Sequence, residues 1–108
     1  MAEKIIELKD LKKHFDSDTV LVSEHASMRF RQRGVKIRDV RCAVSNGDII
    51  EQYPDDHPFP SCLILGKTND DRYLHIVMSD EGTSSRIITA YYPDPEIWDN
   101  DFKQRRKK

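Results

Sequence analysis

Residues 72–92 read RYLHIVMSDEGTSSRIITAYY, and this stretch decides the fold. Two runs rich in β-branched and aromatic residues, 72–79 and 85–92, flank the polar loop Asp80-Glu81-Gly82-Thr83-Ser84, the pattern of an antiparallel hairpin. A register symmetric about Gly82 sets His75 opposite Thr89 and Tyr73 opposite Tyr91, because paired positions in a hairpin keep a constant index sum. Leu74, Ile76 and Met78 then share a face with Ile88 and Ala90, while Tyr73, His75, Thr89 and Tyr91 share the other. One face is apolar; the other carries chemistry.

Upstream, Asp48–Tyr53 reads as a short strand, and the prolines of the loop 54–60 end it. Cys62-Leu63-Ile64-Leu65 is apolar on both faces, as a central strand is, and Thr68-Asn69-Asp70-Asp71 supplies the turn to the hairpin. Before the strands come helices. Ser23 is a good N-cap for a helix from about Glu24 to Gly34, whose missing Cβ suits a left-handed C′ position. Ile37, Val40, Ala43 and Val44 define a second amphipathic face closed by Asn46-Gly47. Ile5, Ile6, Leu8, Leu11 and Phe15 suggest a looser N-terminal helix ended by Asp16-Ser17-Asp18.

Downstream, Pro95 sits at a first helical position in Asp94-Pro95-Glu96-Ile97-Trp98, predicting a terminal turn from which Trp98 and Phe102 fold back. The expected architecture is a single α+β domain over residues 1–102, with two or three N-terminal helices followed by a four-stranded antiparallel sheet. Residues 103–108 are expected to form a basic, disordered tail.

Composition agrees with one domain: 108 residues, 37% hydrophobic and 34% charged, with enough aromatic residues to build one core. No apolar run approaches the roughly 20 residues that cross a bilayer, and the first nine residues lack the apolar centre of a signal peptide, so a cytoplasmic protein with no membrane contact is expected. Cys42 and Cys62 stand in unrelated segments without zinc-ligand spacing and read as reduced, buried thiols. No metal site is expected.

The formal charge of −1 hides an asymmetry. Arg29, Arg31, Arg33, Lys36, Arg38 and Arg41 face only Asp39 in their stretch, and the tail from Lys103 adds five more cations. Together the two stretches carry +10 against a total of −1, which leaves −11 for the remainder. A local polyanion contact fits this distribution, and so does a solvated helix face with a free tail.

His25, Arg29 and Arg33 are spaced i, i+4, i+8 with Gln32 beside them, so two guanidinium forks and an imidazole point from one side of a helix and can converge on a phosphate. The rival reading is a solvated face stitched by Glu24 and other local acids. His75 shares its face with Thr89, Tyr73 and Tyr91, groups able to stack on a base and donate hydrogen bonds. His14 and His57 show no such grouping. There is no phosphate-cradling glycine loop, no nucleophile elbow and no H-E-x-x-H, so no cofactor is expected. RNA cleavage through its own 2′-hydroxyl would need only a base, a cation and an acid.

The ordered strings His25-Ala26-Ser27-Met28-Arg29, Gln32-Arg33-Gly34-Val35, Asp39-Val40, Ile50-Glu51-Gln52-Tyr53-Pro54, Pro60-Ser61-Cys62-Leu63, Leu74-His75-Ile76-Val77 and Thr89-Ala90-Tyr91-Tyr92-Pro93-Asp94-Pro95-Glu96-Ile97-Trp98 resemble the bacterial domain of unknown function family 4258. That resemblance implies kinship with the RelE-like ribonuclease fold, whose members are often messenger-RNA-cleaving toxins held by an antitoxin protein. It would carry catalytic roles to His25, His75, Arg29, Arg33, Thr89 and Tyr91, with one histidine as base and the other as acid, and RNA contacts to Gln32, Arg38 and Tyr73. The strands offer only Arg72 and Arg86, at their starts, which departs from the cation-rich sheet of ribosome-dependent toxins. Three readings stand: a metal-independent, toxin-type endoribonuclease; a non-catalytic module that binds RNA or a protein; and a housekeeping domain whose polar sheet face is covered by its own C-terminus.

Overall fold

A computed structural model describes residues 5–106. The reading of the first nine residues falls partly outside that range, and that of Lys107 and Lys108 wholly. Among the described residues three helices and five strands follow one another as α1 (Leu8–Asp16), β1 (Val20–Val22), α2 (Glu24–Arg33), α3 (Ile37–Asn46), β2 (Asp48–Tyr53), β3 (Ser61–Lys67), β4 (Tyr73–Asp80) and β5 (Ser85–Tyr91). The α+β class holds, with one correction. The sheet is mixed and five-stranded, ordered β1-β5-β4-β3-β2, with β1 parallel to β5 and every other pairing antiparallel. β1 is too short to show a period of two, and it is a strand only because β5 offers it an edge.

Local signals place the helices. The Ser23 side chain accepts from the Ala26 amide at 3.0 Å, and Gly34 leaves α2 with φ of +70°, where a Cβ would be strained. α3 closes at Asn46-Gly47 as expected, by a different geometry from α2. Gly47 is extended rather than left-handed, and it is small because a Cβ there would lie 2.5 Å from the Ala43 and Leu65 carbonyl oxygens.

All three helices pack on one sheet face. Ala26 and Phe30 of α2, Val40, Ala43 and Val44 of α3 and Leu11 of α1 share a core with Cys62, Ile64, Leu74, Ile76 and Met78. Burial of this apolar face is the main favourable term in folding. Cys62 is sealed within it, and burial pushes its thiol up to about 12, helped by the Asp80 charge. Cys42 is half-exposed instead of buried, its thiol donating to Asn69 Oδ1 at 3.1 Å. Among the described residues no helix is long and apolar enough to cross a membrane.

The hairpin register corrects the symmetric expectation. Asp80 pairs with Ser85, one residue past the symmetric position, and a bulge at Ile88 shifts the ladder by one more, so that His75 pairs with Tyr91 and Val77 with Thr89. The extra residue turns Ile87 into the core and leaves Ile88 exposed, the reverse of the alternation expected from a regular strand.

Residues 93–106 then cross the outer sheet face as a strap. Trp98 N donates to Asp94 O at 2.9 Å, closing the expected turn, and Trp98 and Arg105 form an antiparallel bridge. Lys103–Arg106 therefore departs from the expected free tail: Arg105 lies 4.6 Å over the Trp98 ring and pairs with Glu51 at 2.6 Å.

Candidate functional site

Ala26 and Phe30 turn one side of α2 to the core, which leaves His25, Arg29, Gln32 and Arg33 exposed along its flank. The expected stitching by local acids is not formed. Among the described residues, Arg29, Arg31, Arg33 and Arg38 have no carboxylate within 4.0 Å, whereas Arg41, Arg86, Arg105 and Arg106 each do. The row carries positive charge to solvent with no carboxylate among the described residues to neutralise it.

Its C-terminal member reaches the sheet. Because β1 covers β5 only from Ser85 to Ile87, the edge beyond is open, and Arg33 Nη1 donates there to Thr89 Oγ1 and to the Ala90 carbonyl, each at 3.0 Å. Tyr91, half-buried beside them, feels both Arg33 and Arg105, although burial is the main influence and raises its pKa. Arg33 and Thr89 are thus in contact, with Tyr91 close enough to feel the guanidinium charge. Gln32 stays on the helix flank, Arg38 opens α3, and Tyr73 lies toward the far end of β4 with its ring 5.2 Å from Phe102.

His75 is where expectation and structure part. Its neighbours Leu74 and Ile76 face the helices, so His75 projects from the opposite side of the sheet to α2 and His25. The strap covers it completely, at 0% exposure. Nε2 donates to the Phe102 carbonyl at 2.8 Å, Nδ1 accepts from the Tyr91 hydroxyl at 3.3 Å, and the Trp98 ring stands edge-on with centroids 4.4 Å apart. A histidine pair acting as acid and base in one hollow is not assembled, because the sheet separates the two imidazoles and both nitrogens of His75 are occupied. His14 is a fastening too, bonded to Ser85 Oγ and, at 3.2 Å, to the Gly82 carbonyl. Among the described residues no three His, Cys, Asp or Glu side chains are grouped to hold a metal.

A family model described as Domain of unknown function (DUF4258) matches residues 22–92. The chain belongs to this family. No curated protein and no solved structure matches it significantly. The DUF4258 match runs from the last residue of β1 through β5 and so contains the whole α2 row, His75, Thr89 and Tyr91, while the strap lies beyond it.

Sequence reasoning missed the fastening of that strap. Glu51 and Tyr53 alternate onto the outer face of β2, where the Tyr53 hydroxyl donates to Glu51 Oε1 and Arg105 takes Oε2. Burial and the Glu51 bond push Tyr53 up to about 12. The i, i+2 spacing of Glu51 and Tyr53 was a legible signal, but nothing in the sequence names Arg105 as the partner.

Burial holds the pKa of His75 below the usual histidine range, and the Phe102 carbonyl only partly offsets this. The unfolded chain takes up a proton near the ordinary value of about 6.5, while the folded chain resists it. The contribution to stability is therefore complete above about pH 6.5 and is lost as pH falls below it toward the folded pKa. Urea midpoints at pH 7.5, 6.5 and 5.5 should decline more steeply in the wild type than in His75→Gln. Equal slopes would remove His75 as the cause, since the other histidines are common to both proteins.

Proposed function

We propose that this DUF4258 domain binds single-stranded RNA, gripping phosphates with Arg29 and Arg33 and offering Gln32, Thr89 and Tyr91 to the adjoining sugar and base. The observation that carries the reading is the guanidinium row without carboxylate partners among the described residues, running along α2 to the open edge of β5. Unpaired cations beside a half-buried tyrosine suit a flexible backbone with exposed bases better than they suit a duplex. Binding of a fluorescent single-stranded oligoribonucleotide should weaken with salt, and Arg29→Gln with Arg33→Gln should reduce the slope of log K against log salt by about 1.4, two single-strand phosphate contacts. Salt-independent binding, or a slope unchanged in the double variant, would sink the idea.

A second reading keeps the RelE-like, toxin-type endoribonuclease with an antitoxin partner. What favours it is the position of the strap, whose Trp98 ring and Phe102 carbonyl converge on His75, the partner of Tyr91. In this reading cleavage without metal requires the strap to lift. Trp98→Ala should then cut labelled RNA that the wild type leaves whole, and His75→Ala in that background should abolish the cut. If neither protein cleaves, the domain is a binding module alone.

A further inference from the structure

Beyond the end of α2, a cavity of about 470 Å³ opens between the first turn of α3 and the turn joining β3 to β4. That volume falls in the range of small-molecule sites, roughly 300–1,000 Å³. Three cations from three segments line it: Lys36 from the α2–α3 link, Arg38 from α3 and Arg72 from the turn just before β4. Two carboxylates, Asp39 and Asp70, line it as well. Each is already engaged by its own chain, Asp39 accepting from the Lys36 amide at 3.1 Å and Asp70 from the Thr68 hydroxyl. Lys36, Arg38 and Arg72 have no carboxylate within 4.0 Å among the described residues.

Two further features point the same way. The Arg72 guanidinium lies over the half-buried Tyr92 ring, 3.7 Å from its centroid, a contact that does not consume its N–H donors. The Ile37 and Arg38 amides, first in α3, have no acceptor among the described residues, so the positive end of a ten-residue helix meets the same hollow.

We propose that this cavity is a binding site for a phosphate monoester, its dianion held by Lys36, Arg38 and Arg72, with room left for the group that carries it. The site is separate from the α2 row, and the probes below contain no RNA backbone, so it stands or falls apart from the RNA reading.

The test uses amide NMR spectra of the full chain titrated with inorganic phosphate and, separately, with adenosine 5′-monophosphate. Saturable shifts of the Ile37, Arg38, Asn69 and Arg72 amides are expected with at least one probe. Binding of both alike identifies the phosphate itself as the ligand, and tighter binding of the nucleotide shows that the attached group is read. Arg72→Gln should weaken either tenfold or more. Because Arg72 also packs on Tyr92, the exposed pair Lys36→Gln with Arg38→Gln provides a second variant whose fold the same spectra report. No saturable shift with either probe, shifts confined to the α2 flank, or undiminished binding by the folded double variant would overturn the proposal.

Discussion

Trp98→Ala is expected to cost about 3–5 kcal/mol, the usual range for removing a large buried aromatic side chain. Trp98 is 3% exposed, although it lies in a segment without helix or strand, and it joins two otherwise separate fastenings. Its ring packs edge-on against His75 and carries Arg105 on its surface, while Arg105 in turn holds Glu51. Removing the indole therefore uncovers the imidazole and takes away the platform of the cation. In a domain of this size the midpoint of thermal unfolding should fall by more than about 10 °C. The His75 titration should also move up toward the ordinary histidine value as water reaches the ring. A variant with unchanged stability, or one in which His75 still resists protonation, would show that the strap is not what seals this face.

The same residues show what the sequence could and could not disclose. α2, α3 and β2 were legible almost to the residue because Ser23, Gly34, Asn46 and the prolines of the loop after Tyr53 act locally, through caps and breaks that need no partner. β1 was not legible, since Val20–Val22 gains its identity from an edge 65 residues away. The bulge at Ile88 was invisible for a related reason. Ile87 and Ile88 are chemically identical, and only packing on the helices decides which of them turns inward. For the site, spacing alone found the α2 row, and strand alternation found Thr89 and Tyr91. It also put His75 on the correct face. What lies on top of that face is a tertiary fact, and one covering side chain changes an exposed base into a buried fastening.

Gly66→Ala is the other large effect expected, and it acts on the opposite face. A Cβ at this position would lie 1.9 Å from the Ala43 carbonyl oxygen and 2.8 Å from its Cα, distances no relaxation of a flexible side chain can relieve because both atoms are backbone. Gly66 pairs with Leu74 in the sheet while α3 rests directly on it, so the absent side chain sets how closely that helix approaches β3. The substitution must lift α3 or bend β3, costing about 3 kcal/mol or more, the upper end for overpacking a core. Lifting α3 would also carry Lys36 and Arg38 away from Arg72, so any folded fraction of Gly66→Ala should lose the proposed phosphate-monoester binding while the proposed RNA contact of the α2 row is left intact. Chemical denaturation gives the first quantity and the two titrations give the second. A stable Gly66→Ala protein would mean that α3 does not sit on β3 as closely as these contacts require.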